Sequence, residues 1–216
     1  MSWDEHAERE ERRYADALAR MPGEPDSRQK QLVRAAMAAG GAGLARLMQG
    51  RGGEATGWFA RSAERYRESW PDAPAGSWGR LIGALKARIL AGDWGGAASD
   101  ARWALEQDPA GGDSPIGAYA AALARLILED DAPASELAEI LRGADAFPAP
   151  VATAIAGLAA GHAETYADGC GALLAFFESR EAYLEDIPVA DTVIVFEALA
   201  ERRGLATRPR SQLLPG

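Results

Sequence analysis

The stretch SWGRLIGALKARILAGDWGGAASDARWALEQDP, residues 77–109, constrains the fold more than any other part of this chain. Two apolar-periodic runs, 78–91 and 94–107, meet at the turn dipeptide Gly92-Asp93. In the second run Trp94, Ala97, Ala98, Ala101, Ala104 and Leu105 recur at helical spacing. That stripe is mostly alanine, and small side chains at a contact shorten the distance between helix axes. The spacing therefore predicts two helices packed closely against each other.

The rest of the chain reads as variations on this pair. Residues 3–21 form a charged helix with a thin stripe of Trp3, Ala7, Tyr14 and Leu18, stopped by Pro22, Gly23 and Pro25. Asp26 and Gln29 have the spacing of a capping box. The helix they open runs to about Gln49, with Leu32, Val33, Ala36, Met37, Leu44, Leu47 and Met48 inward. Gly40, Gly41 and Gly43 predict a break, a kink or a close helix crossing there. A further helix spans 54–70 on Phe59, Ala63, Tyr66 and Trp70. Ser114-Pro115 is a helix start, followed by a core stripe of Ile116, Tyr119, Ala120, Leu123, Leu126 and Ile127. Shorter helices carry Leu137, Ile140 and Leu141, then Val151, Ile155 and Leu158. Tyr166, Cys170, Leu173, Leu174 and Phe177 share a face of the next. Pro188 is expected to start the last helix, which ends near Gly204. Its β-branched centre, 192–196, has no second strand to pair with and continues into good helix formers.

Residues 92–109 resemble the second half of a tetratricopeptide repeat. Gly92, Asp93, Trp94, Ala97, Ala104, Leu105, Asp108 and Pro109 fit that pattern, while Leu85 stands where the family has glycine. The resemblance implies an all-α superhelix of stacked antiparallel helix pairs, each burying its face on its neighbours. It also implies that the first helix of a pair lines a binding groove. On that helix the face carries Gly79, Ile82, Lys86 and Leu90, with Arg80 nearby. The Arg202-Arg203-Gly204-Leu205 run, Pro209 and the closing Leu213-Leu214-Pro215 are similar to a helical immunity-protein family of bacterial polymorphic toxin systems, immunity protein forty-nine. That second resemblance implies neutralisation of a cognate toxin.

Composition removes several classes. A net charge of −9 disfavours nucleic acid, which needs a basic stripe, and anionic lipid surfaces. Lys30 and Lys86 are the only lysines, so 21 of the 23 basic residues are arginine, which fits either a GC-rich genome or salt adaptation. A single cysteine forms no internal disulfide. The start MSWDEHAEREERR has no apolar core region and is not a signal peptide, and no apolar run reaches the roughly 18 residues of a membrane span, so the expected location is the cytoplasm.

Chemistry-bearing residues are few. Cys170 lies on an apolar face and reads as a buried thiol. His162-Ala163-Glu164 matches the zinc-deaminase His-x-Glu, but the Pro-Cys-x-x-Cys partner is missing. His6 and Glu10 share a helix face but are too few for a metal, and are expected on an exposed, charged surface. No catalytic residue, metal ligand or cofactor is expected. Trp103 lies about half a turn round from Trp94 and packs on the following pair or anchors a partner. The candidate partner-binding residues are Arg80, Ile82, Lys86, Leu90 and Trp103. The organisation expected is a charged helix and linker over 1–25, one helical-repeat domain over 26–206 and a surface tail over 207–216. The function expected is non-enzymatic binding of a protein or peptide partner. The alternatives are an immunity protein and an enzyme with an unrecognised carboxylate and arginine site.

Overall fold

Some helix starts are set by side chains that satisfy amide groups left without intrahelical acceptors. Ser2 caps the first helix, taking the Glu5 amide at 3.3 Å while the Glu5 carboxylate takes the Ser2 amide at 2.6 Å. Ser114 likewise accepts from Gly117 N, with Pro115 at the first helical position. The computed structural model describes residues 1–145 and 147–216, and among these it is all-α, with ten α-helices, one 3-10 turn and no strand.

The chain divides into two compact units. The first comprises Met1–Asp93, Glu181–Val189 and Gln212–Gly216. It holds α1 (Trp3–Ala19), α2 (Pro25–Met48), α3 (Gly52–Glu68) and α4 (Gly79–Leu90), each packed on the next, together with the 3-10 turn Leu184–Asp186 against α2. Glu181–Val189 is called the strap below. The second unit comprises Trp94–Arg180 and Ala190–Ser211. It holds α5 (Trp94–Glu106), α6 (Pro115–Ile127), α7 (Asp131–Arg142), α8 (Ala149–Ala160), α9 (Ala163–Glu178) and α10 (Asp191–Arg203). Helices α5 to α9 again pack on chain neighbours, and α10 lies on α8 and α9.

In the first unit α2 is continuous through Gly40, Gly41 and Gly43, so of the three expected outcomes the close crossing is the one observed. A methyl group at Gly43 would stand 2.6 Å from the Phe59 ring. Beside it the Ser62 hydroxyl donates to the Ala36 carbonyl at 2.8 Å. The face of α2 that packs is made of Ala35, Ala36, Ala38, Ala39, Gly41, Ala42 and Gly43, whereas Leu44, Leu47 and Met48 are only half-buried. In the second unit α8 and α9 approach more closely still. A methyl at Gly157 would lie 2.4 Å from Tyr166 N, and one at Gly169 would lie 2.5 Å from Ala154 N.

Other expectations are corrected. Glu24, not Asp26, caps α2, taking the amides of Asp26 and Ser27, while the Asp26 carboxylate accepts from Gln29 Nε2 and Lys30 Nζ. Pro188 lies in the strap, and α10 begins at Asp191. Ile116 and Ile140, read as core, are 47% and 60% exposed. Of the tail 207–216, Thr207 is exposed but Leu214 is buried.

Candidate interaction face

Burial around α4 follows one pattern. Leu81, Ala84, Leu85, Ala87 and Ile89 are buried, while Gly79 is exposed and Ile82, Gly83, Lys86 and Leu90 are only partly covered. At about 100° per residue these last five positions fall on one face. The helix thus brings Ile82, Lys86 and Leu90 onto one incompletely covered strip.

Arg80 flanks that strip and turns back into the first unit. Its guanidinium donates to the Ser69 carbonyl and to the Gln29 side-chain carbonyl, so it ties α4 to α2 and to the end of α3. Both acceptors are neutral, and burial holds the Arg80 pKa below the ordinary arginine range. Gln29 is itself buried and passes its amide N–H to Asp26 at 3.1 Å. Trp103 belongs to α5 of the second unit, where it is half-buried and its carbonyl accepts from Gln107 Nε2 at 3.0 Å. Trp94, placed on the alanine stripe by its spacing, is half-buried and covered by the Arg202 guanidinium at 4.5 Å.

Two polar clusters lack a local sequence signal. The first surrounds Glu10, which is 0% exposed, and adjoins His6, which is 6% exposed, so the expectation of a solvated α1 face is wrong at both. The strap causes the burial. Ile187 sits over Gly41, where an added methyl would meet Ile187 Cδ1 at 2.8 Å and Glu10 Cγ at 3.0 Å. The Glu10 carboxylate accepts from Arg9 Nε at 2.7 Å and from Arg13 at 2.9 Å. Arg9 also donates to the Glu185 carbonyl, and Arg13 pairs with the Glu185 carboxylate. Burial opposes the charge on Arg13, but its bonds to Glu185 and Glu10 outweigh that and raise its pKa. Arg9-Glu10 and Arg13 are adjacent in sequence, whereas Glu185 lies 176 residues beyond Arg9.

The second cluster centres on Glu197 of α10. Its carboxylate accepts from the Tyr166 hydroxyl at 2.6 Å, the Thr207 hydroxyl at 2.9 Å, Thr207 N at 3.2 Å and Arg208 N at 2.6 Å. Cys170 Sγ lies 3.7 Å away. Burial works against the Glu197 charge, yet the donors prevail and hold its pKa below the usual carboxylate range. Burial pushes the Tyr166 and Cys170 pKa values up, so both keep their protons. With its donors drawn from the tail, this carboxylate acts as a clasp on residues 207 and 208. The closing Arg-Arg-Gly has comparable work: Arg202 pairs with Glu129, and Arg203 donates to the Leu126 carbonyl and Asp131.

A cleft of about 550 Å³ opens in the first unit between α1 and the strap, walled by Met1, His6, Arg9, Glu181, Tyr183 and Asp186. Among the described residues no group of three His, Cys, Asp or Glu side chains is placed to hold a metal, and no helix is long and apolar enough to cross a membrane. Comparison with family models, with curated proteins and with solved structures finds no match to this chain.

Proposed function

We propose that this chain is a non-enzymatic protein-interaction module that receives a partner segment on the α4 face. The observation that carries the reading is the partly covered strip of Ile82, Lys86 and Leu90 on a helix whose other apolar residues are buried. Aliphatic side chains about two turns apart on one helix face suit an amphipathic segment that offers apolar residues at helical spacing. The tetratricopeptide-like pattern of residues 92–109 supports the same face, because that resemblance implies that the helix before it lines the groove. Arg80 enters this reading as a positioning residue, since its guanidinium fixes α4 against Ser69 and Gln29. Neutralisation of a cognate toxin is the narrower form of the reading.

The test is affinity capture from the native lysate with the intact chain and with an Ile82→Asp/Leu90→Asp variant. A protein held by the intact chain should be lost by the variant and retained by Ser99→Asp, a change at an exposed position of α5. A toxin captured in this way selects the narrower form. Equal capture by the intact chain and the Ile82→Asp/Leu90→Asp variant refutes the α4 face.

A further inference from the structure

His6 occupies the first turns of α1, with its ring 5.4 Å from that of Trp3. Its Nδ1 is buried and has no hydrogen-bond partner among the described residues. A neutral imidazole tolerates this, because it can carry its proton on Nε2 and leave Nδ1 as a bare acceptor. An imidazolium has an N–H on both nitrogens, and the one on Nδ1 would be desolvated without an acceptor. The charged ring is therefore disfavoured in the position it occupies.

The neighbouring charges are of both signs. On α1 these are Glu5 and Arg9, the Met1 amino terminus acts from beside them, and Asp186 acts from the strap. Glu181 and Tyr183 complete the cleft wall. Burial first, then Arg9 and the amino terminus, outweigh Glu5 and Asp186 and hold the His6 pKa below the ordinary histidine range.

Arg9 links this ring to the strap, because it joins the Glu10 carboxylate to the Glu185 carbonyl. The strap needs such a hold. Glu185 and Asp186 take left-handed backbone with φ of 55° and 53°, a conformation that non-glycine residues keep only when their surroundings impose it. Ile187 and Val189, both buried, anchor the far end.

We propose that the strap is an acid-released latch: proton uptake by His6 sets a second cation against Arg9 and an unaccepted N–H against the core, and both are relieved when the 184–186 turn lifts and lets water reach the imidazolium. The closed form binds this proton more weakly than the open one, so closure is fully favoured above the ordinary histidine value, weakens below it and is lost as the pH falls towards the lowered value of the closed form.

Hydrogen exchange on the full chain, corrected for the intrinsic rate, tests this at about pH 7.5 and about pH 5.5, either side of the ordinary histidine value. The reporters are the amides of Asp186 and Ile187, which donate to the Tyr183 and Leu184 carbonyls. Their protection should fall by roughly tenfold at the lower pH while that of α2 holds, as a local opening requires. The midpoint should match the His6 titration followed by NMR, where His162 is the only other histidine. His6→Gln should keep the amides protected at both pH values. Equal loss in that variant, parallel loss in α2, or a midpoint detached from the His6 titration overturns the latch. Should His6→Gln not fold, the midpoint in the unmodified chain decides.

Discussion

Two tyrosines of the second unit should respond to the same substitution with opposite sign. Tyr166 and Tyr119 are both buried, and Tyr→Phe removes only the hydroxyl. The Tyr166 hydroxyl donates to the Glu197 carboxylate at 2.6 Å, a charge-assisted bond. Losing such a bond costs about 1.5–3 kcal/mol. Glu197 keeps its other donors, Thr207 and Arg208, so the loss should lie towards the lower end of that range. The Tyr119 ring packs 5.6 Å from Phe147, and its hydroxyl has no hydrogen-bond partner among the described residues. An unmade hydrogen bond at a buried group already costs the folded state about 1–3 kcal/mol. Removing the oxygen recovers that penalty, less the small void it leaves. Tyr119→Phe should therefore stabilise by about 1 kcal/mol, and the two variants should differ by about 2.5–3 kcal/mol. Because both residues belong to one compact unit, urea unfolding followed by far-ultraviolet circular dichroism compares them on a single transition. Equal destabilisation by the two substitutions, at unchanged m, would refute the reasoning and mean that the Tyr119 hydroxyl is satisfied.

Packing supplies two further pairs of opposed outcomes. Gly157→Ala and Gly169→Ala should each cost at least about 1–3 kcal/mol in the same urea assay, because the added methyl meets backbone of the facing helix, which cannot rotate away. Gly171→Ala, on the same helix with nothing within 4 Å, should be neutral or stabilising by up to about 1 kcal/mol. Ala101→Leu should cost about 1–3 kcal/mol, since Ala101 is fully buried on the alanine stripe, whereas Ser99→Leu at an exposed position of the same helix should change the midpoint little. Equal midpoints for that last pair would mean that the stripe is not a packed face.

Helical periodicity is local information, and it located every helix. Faces are less legible, because a large apolar side chain and a small one at the same helical spacing do not show which of them a neighbouring helix has room for. On α2 Leu32 and Ala36 do face inward, but from Ala35 to Ala45 the alanines and glycines pack, since α1, α3 and the strap all press on that one helix. Leu44 and Met48 are pushed to the margin for the same reason. On α7 the core stripe of Leu137 and Leu141 was legible, but Ile140, one position off it, remains exposed. The exposed isoleucine obeys the helical wheel that its hydrophobicity obscured.

The candidate sites divide along the same line. Ile82, Lys86 and Leu90 could be grouped in advance because nine consecutive residues of one helix define their face. Arg80 could not be assigned its tie, since Gln29 lies 51 residues away. Glu10 and His6 were misread for the same reason. Nothing in the thirteen residues around them announces that Ile187 will close over Gly41 and exclude water. Once it does, a carboxylate that would have been solvated has to be paired, and Arg9 and Arg13 on its own helix are within reach. These arginines then have further donors to spare, and Glu185, in a backbone conformation it would not adopt alone, accepts from both. The strap therefore buries Glu10, and the arginines that answer Glu10 in turn hold the strap. That mutual dependence makes closure a single step, so a perturbation of Arg9 alone, such as a charge on His6, acts on the whole turn.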